Sequence, residues 1–287
     1  MSRSKSAELA ALLLICLPSL SAAESTLTPI QPPAERPYPY EILGLQPGDE
    51  ISDVMAVFSE RSEAEPTSER EIVQISSPDN RVFEFTYERY RRIGDVGING
   101  RIAKADQDQL TAHLASTALE QRPLSIDRSI RQPSDELPDA LSLRAQIEES
   151  YGPPSKVESL TGSMTLIYAW GEDGFISDLD TQEERELTYT NRSGQSVSAK
   201  YRPCTRSMSG AYAESVEYRF AYTRRQDMMP GCTAIFSITH ESRPGQTSIS
   251  FSLVDFDLGR IHRDGLDKQI VETLTGNTEV KPSNMDL

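Results

Sequence analysis

Between residues 138 and 171 the spacing of apolar positions changes period once. Ala140, Leu143, Ile147 and Tyr151 recur at intervals of three and four and share one helical face, opposite Arg144, Gln146, Glu148 and Glu149. Pro138 suits the first turn, where its missing N–H would be unpaired in any case. Gly152 suits a left-handed position just past the helix, and Pro153-Pro154 forbids continuation, so the helix is expected to stop at Tyr151. Beyond it the period drops to two. Residues 156–160 and 164–170 read as strands joined by the turn-like Thr161-Gly162-Ser163. Met164, Leu166 and Tyr168 fall on one face, with Thr165, Ile167 and Ala169 on the other. Both faces are apolar in part, which predicts a strand covered on both sides.

An earlier segment, 41–90, follows the same plan in outline. Ile42, Leu43 and Leu45 predict a short strand, Pro47-Gly48 a turn, Asp49 a helix N-cap, and Ile51, Val54 and Phe58 a buried helical stripe. Two strands are expected over 71–76 and 82–90, turning at Pro78-Asp79-Asn80. In the second, Phe83, Phe85 and Tyr87 alternate with Glu84, Thr86 and Glu88, an aromatic inner face and a wet outer one. Gly94, Gly97 and Gly100 mark a loop. Leu110, Ala112 and Leu114 alternate, as do Leu124 and Ile126, so a strand pair is read around 120–123; Leu110, Leu114 and Ala118, four apart, keep a helix over 108–131 as the rival.

The last third predicts mostly strands: 187–190 and 197–201 around Asn191-Arg192-Ser193-Gly194, then 215–222, 233–240 and 247–254, arranged as an antiparallel meander. A closing helix is read over 264–274 from Leu266, Ile270 and Leu274. Asp255, Asp257 and Gly259 read as a strand-end turn. The expected fold class is therefore α+β: helices packed on antiparallel sheet, as two related helix-plus-hairpin units (41–135 and 136–275), the second carrying the meander.

The ends of the chain read differently. Arg3 and Lys5, the apolar run 9–17 and the small residues Ser21-Ala22-Ala23 have the form of a secretory signal peptide, 1–23. A leader, 24–40, holds five prolines that can build neither a helix nor a central strand, and it reads as a polyproline-like spacer. Residues 276–287 read as a loose tail. No run after the signal is long and apolar enough for a transmembrane helix, so a periplasmic or secreted protein is expected. In that setting Cys204 and Cys232 are expected to pair, stabilising the fold by roughly 3–4 kcal/mol on a chain-entropy argument.

Formal net charge is −15, which argues against a phosphate-backbone partner and an anionic membrane surface, so no nucleic-acid role is expected. One basic run, Arg89-Tyr90-Arg91-Arg92, is read as a blunted sheet edge. Catalytic and cofactor signatures fail in turn. No G-x-S-x-G occurs, S-x-x-K occurs only at Ser2 to Lys5, and no glycine fingerprint follows a strand. His240-Glu241 opens a zinc-protease motif that Pro244 breaks. Asp178 and Asp180 open an EF-hand loop that fails at Glu183 and Tyr189. His113, His240 and His262 read as surface or strand residues. No cofactor, metal or catalytic residue is assigned. Tyr151 and Trp170 flank the opening hairpin and are the candidate contacts for a ligand or partner, against the alternative of aromatic core lids.

Gly44-Leu45-Gln46-Pro47-Gly48-Asp49 before a helix, and Tyr151-Gly152-Pro153-Pro154-Ser155 after one, resemble uncharacterised exported proteins of proteobacteria. More distantly the helix followed by a hairpin is similar to the small module of the outer-membrane assembly lipoprotein BamE and of the β-lactamase-inhibitor protein. The resemblance covers two stretches of turn chemistry, and it implies a non-catalytic module that binds a protein or ligand in the cell envelope. The alternative is an envelope hydrolase built on a carboxylate pair. Intact mass of the exported chain is expected to start at Glu24 and to fall two hydrogens short of the reduced form; a mass matching two free thiols would remove the Cys204–Cys232 pairing.

Overall fold

Alternating strand residues assemble most of the strands into one sheet, with helices packed against it. The computed structural model describes residues 25–33, 35–76, 81–94, 107–190, 196–205 and 231–275. In chain order the elements are α1 (Ile51–Arg61), β1 (Thr67–Ser76), β2 (Val82–Ile93), β3 (Gln107–Leu114), a 3-10 turn (Thr117–Leu119), β4 (Pro123–Pro133) and α2 (Ala140–Tyr151). Then follow β5 (Lys156–Leu160), β6 (Ser163–Gly171), β7 (Gly174–Ile176), β8 (Arg185–Thr190), β9 (Ser196–Tyr201), β10 (Cys232–Arg243), β11 (Gln246–Asp255) and α3 (Phe256–Thr275). Eight strands lie in the order β1-β2-β3-β4-β11-β10-β6-β5, β7 extends the β6 edge, and β8 and β9 form a separate pair. All pairings are antiparallel. The fold is α+β, helices on an antiparallel sheet.

The helix-and-hairpin unit forms as its pattern predicts. Leu143 is buried, while Ala140, Ile147 and Tyr151 pack against the core beside it. Asp139 caps the helix, its Oδ1 accepting from the Leu141 and Ser142 N–H groups at 2.9 and 3.0 Å. Pro138 therefore precedes the cap and does not occupy the first turn. Gly152 ends the helix at φ 77° and ψ −171°, a region essentially reserved for glycine. β5 and β6 pair from Lys156↔Ile167 to Leu160↔Ser163. Leu166, Ile167, Tyr168 and Ala169 are all buried, so β6 is covered on both faces.

Elsewhere local chemistry departs from the pattern. Ile42 and Leu45 form an isolated bridge around Leu43 and Gly44, both at positive φ, so the expected short strand is a tight turn. Asp49 does not cap α1: its carboxylate accepts from the Gln46 N–H at 2.7 Å, and Glu50 holds the cap position without a side-chain bond. Residues 107–133 are strands, not helix; β3 and β4 pair along their length, and Leu110, Ala112, Leu114, Leu124 and Ile126 are buried. The closing helix read over 264–274 starts eight residues earlier, at Phe256. Asp255 Oδ1 accepts the Leu258 N–H at 2.7 Å, so the acidic strand-end turn is a helix cap. Gly259 and Gly265 are carried inside the helix, and at Gly265 a Cβ would lie 2.6 Å from Ile30. The signal peptide 1–23, the tail 276–287, the strand expected over 215–222, the turns at 78–80 and 191–194, and Gly97 and Gly100 lie outside the described residues.

The hairpin β10–β11 is not the end of a meander. It lies between β4 and β6, joining strands from both halves of the chain in one sheet. One face of that sheet, with Leu110, Ile126, Leu166, Tyr168, Phe236, Ile238, Ile249 and Leu253, is covered by Val54 and Phe58 of α1, Leu143 of α2, and Tyr38 and Tyr40. α3 continues from the end of β11. Its Leu258 packs with Leu119 and Leu124, and Leu266 and Ile270 pack with Phe83, Phe85 and Tyr87.

The proline-rich leader is a strap on this fold, where a spacer was expected. Its backbone groups find partners across the molecule: the Ser25 N–H donates to Glu84 O at 2.6 Å and the Ile30 N–H to Ala118 O at 2.7 Å. The Gln269 side chain both accepts from the Thr28 N–H and donates to Thr28 O. Prolines lack one donor each, and the remaining polar groups of an extended segment need such external partners. Gly152→Ala should destabilise by about 1–3 kcal/mol; no atom lies within 4 Å of the added Cβ, so the loss would be conformational. An unchanged denaturation midpoint would contradict the strained backbone.

Candidate functional site

Tyr151 ends α2 and Trp170 lies near the end of β6, and the fold brings them together through a third residue. Tyr40 of the strap is the hub, with ring centroids 5.4 Å from Tyr151, 6.3 Å from Trp170, 5.6 Å from Tyr168 and 5.3 Å from Phe236. Edge-on, tilted and stacked contacts of this kind add to the area the rings bury. The Tyr168 hydroxyl donates to Gly152 O at 2.8 Å, and burial raises its pKa to about 12. Tyr151 and Trp170 are half-buried around Tyr40, so they cap the core. Phe175 on β7 extends the cluster outward, 39% exposed, against Trp170 and Tyr168. Tyr40 itself carries no sequence signal beyond its place in a proline-rich run.

Three polar groups are buried where strap and α3 meet. The Tyr38 hydroxyl donates to Asp255 Oδ2 at 2.9 Å, and Arg36 Nε lies 3.6 Å from the same oxygen while donating to Pro47 O at 2.6 Å. Burial raises the pKa of Asp255 and, with the carboxylate beside it, that of Tyr38. A cavity of about 480 Å³ opens beside them, lined by Arg36, Thr233, Asp257, Arg260 and Asp264 among others. One oxygen of Asp255 caps α3 through the Leu258 N–H and the other holds Tyr38 and Arg36 of the strap, so the network fastens strap to helix.

His262 corrects the surface or strand expectation: it sits in α3, 1% exposed. Its Nε2 accepts from the Ser116 N–H at 3.1 Å and lies 2.9 Å from Ser116 Oγ. A serine and histidine in contact resemble a nucleophile and base, but Ser116 is wholly buried and no substrate atom reaches the pair. Burial lowers the His262 pKa from 6.5 to about 3. The pair fastens α3 to the 3-10 turn.

The second face of the sheet is built differently. Directly paired residues point to the same side, and the register lines up ranks across the strands. One runs Glu158, Thr165, Thr239, Ser250, Ser129, Gln109 across six strands. The next runs Ile167, Ser237, Ser252, Asp127, Thr111, Arg92. Thr165 and Thr239 hydroxyls are 3.1 Å apart, and those of Ser129 and Ser250 3.4 Å. At one end stand Ile167, Ile235, Val254 and Phe256 beside the Cys204–Cys232 disulfide, whose Cα atoms are 5.1 Å apart. A cavity of about 280 Å³ spans this junction, lined by Thr165, Ser237, Thr239 and Ser252 with Ile167, Ile235, Val254, Phe256 and Cys204, and by the carboxylate-bearing Glu158 at its margin. At the other end His113 Nε2 lies 3.0 Å from Asp127 Oδ2, and Arg92 sits over the Tyr90 ring at 4.6 Å while donating to Thr111 Oγ1. The basic run 89–92 thus does not blunt an edge, since β2 lies between β1 and β3.

Sequence reasoning missed this face because it weighed strands by their apolar residues. The signal was present: Ser248, Ser250 and Ser252 alternate with Ile249, Phe251 and Leu253. Among the described residues no group of three or more His, Cys, Asp or Glu is arranged to hold a metal ion, and no helix is long and apolar enough to cross a membrane. Comparison with protein-family models, with curated proteins and with solved structures finds no match.

The sign of the His262 effect follows from its neutral folded form. The unfolded chain takes up a proton below pH 6.5 and the fold does not, so this contribution is whole above 6.5 and is lost as pH falls toward 3, at about 1.4 kcal/mol per pH unit. Asp255, with its raised pKa, works in the opposite direction, losing stability as pH rises through that value. The melting temperature of the wild type relative to His262→Gln, whose amide oxygen still accepts from Ser116, should therefore fall from pH 6.5 to 4. Parallel profiles would show that His262 is not the titrating group.

Proposed function

We infer that this chain is a non-catalytic binding module of the cell envelope, and that its binding surface is the hydroxyl-lined sheet face. The observation that carries the reading is the asymmetry of the sheet. One face is closed by α1, α2 and the strap, while among the described residues the other presents half-buried Thr165, Ser237, Thr239 and Ser252 around a cavity, with Ser250 beside them in the same rank. Side chains on paired strands are held more rigidly than those on loops, which suits recognition. The strongly shifted groups, Tyr38, Asp255 and His262, are engaged in fastening elements together, and none lines the cavity under the hydroxyl ranks. A hydrolase would call for a perturbed acid or base at the cleft. The disulfide and the sequence of residues 1–23 support an exported location, periplasmic or secreted. Tyr151 and Trp170 serve this reading as the lid of the opposite face.

The test is position-dependent photo-crosslinking of the full chain in envelope extract. Ser237→benzoylphenylalanine and Ser252→benzoylphenylalanine should give adducts, while Leu141→benzoylphenylalanine, on α2 and 76% exposed, should not. Turnover in a screen of envelope substrates, with no adduct from either serine position, would replace binding by hydrolysis.

A further inference from the structure

We propose that residues 25–33 of the strap occupy a peptide-binding groove in cis, and that an extended, uncharged segment of another protein, with two aliphatic side chains three residues apart, binds there by displacing them. The groove is walled by β2, the 3-10 turn and α3 and shares no residue with the hydroxyl-lined cavity. The inference does not depend on that face.

The first argument is how the groove holds a backbone. β3 pairs with β2 only from Tyr90 to Ile93, and further along β2 the strap stands in the place of a strand. There the Ser25 N–H donates to Glu84 O at 2.6 Å and the Glu84 N–H to Ser25 Oγ at 3.1 Å. Three residues on, the Gln269 side chain accepts from the Thr28 N–H at 2.8 Å and donates to Thr28 O at 2.9 Å. The Ile30 N–H donates to Ala118 O at 2.7 Å. Strand-like addition of this kind draws its affinity from main-chain bonds, which an extended segment offers whatever its side chains.

The second is the seat for side chains, which supplies the selectivity that main-chain bonds lack. Leu27 and Ile30 pack against the apolar cluster that includes Phe83, Phe85, Leu266 and Ile270. Gly265 makes an interior helical position part of that seat: a Cβ there would lie 2.6 Å from Ile30 Cδ1. Glycine weakens a helix interior relative to alanine, so the residue suits the seat and not the helix. Residues 25–33 contain no charged side chain, and the segment the groove matches is therefore uncharged.

The third is the unequal hold on the strap. Tyr38 and Tyr40 are buried, one bonded to Asp255 and both within the main core. Thr26, Thr28, Pro29, Gln31 and Pro33 are exposed, and Ser25, Leu27 and Ile30 only half-buried. Segments with few buried contacts and exposed hydrogen bonds open at the lowest free energy, so the outer half is released while the inner anchors hold. A tethered strap competes with a free peptide at an effective concentration on the order of millimolar. The groove is masked until the strap is weakened or outcompeted.

The probe is a synthetic peptide of residues 25–33, labelled with fluorescein at its C-terminus and followed by anisotropy as the exported full chain is added. Leu27→Ser with Ile30→Ser in the chain weakens the strap and leaves the groove intact, and should raise affinity for the peptide by about tenfold or more over wild type. Adding Gly265→Ala, which favours the helix but narrows the seat, should lower it again by about tenfold. A peptide carrying the same two serines should not bind. In the wild type the amides of Ser25, Thr28 and Ile30 should exchange their hydrogens faster than those of β6 and β10. No binding of millimolar peptide to the strap-weakened chain, equal binding of the serine-substituted peptide, or exchange of the strap amides only with global unfolding overturns the proposal. A strap-weakened chain that does not fold overturns it as well, because the strap would then be an integral part of the core.

Discussion

The register of β11 is the constraint on which core and surface both depend. Ile249, Phe251 and Leu253 point to the face covered by α1, α2 and the strap, and Ser248, Ser250 and Ser252 to the other. Side chains in a strand have a period of two, so a slip of one residue would drive three serines into the core and expose the apolar residues. The burial of Ile249 and Leu253 therefore fixes the serines in rank with Thr239 and Ser129. Because β11 pairs with β4 on one side and β10 on the other, the same register fixes how the two halves of the chain meet. Hydrophobic burial sets the position of hydroxyls it does not itself touch.

Pairing β11 with β4 joins residues more than a hundred positions apart in sequence, and non-local contacts of that kind pay the loop-closure entropy before any pairing is gained. The strap and α3 reinforce the union from outside. Tyr38, reaching from the leader, bonds Asp255 at the end of β11, and α3 runs on to the 3-10 turn, where His262 meets Ser116. Both fastenings are buried polar contacts with their partners satisfied, the circumstance in which such groups specify an arrangement instead of weakening it.

What was legible in the sequence was whatever local chemistry decides. The α2 helix, its stop at Gly152 and the β5–β6 hairpin follow from period and turn residues, and the alternation in 107–133 outweighed the rival helix because both strands had a partner with matching faces. What was not legible depended on distant partners. The leader looks like a spacer until Glu84, Ala118 and Gln269 are brought to it. Asp255 looks like a turn residue until the Leu258 N–H is seen to need its carboxylate. Leu43, at positive φ, makes the expected strand a turn in a way no propensity would suggest. Tyr151 and Trp170 stood out as aromatic residues, yet their arrangement depends on Tyr40, supplied by a segment with no apolar period.

The same distinction bears on where function resides. Aromatic side chains drew attention in the sequence because they stand out, and the fold uses them for burial. The serines and threonines of β10, β11 and β4 are individually ordinary, each explained by strand propensity or by a solvated face. Only the order β4-β11-β10-β6 turns them into a rank, and that order is set by pairings between segments far apart in the chain. A surface made this way is as rigid as the core beneath it, since no hydroxyl can leave its rank without moving an apolar neighbour on the reverse side.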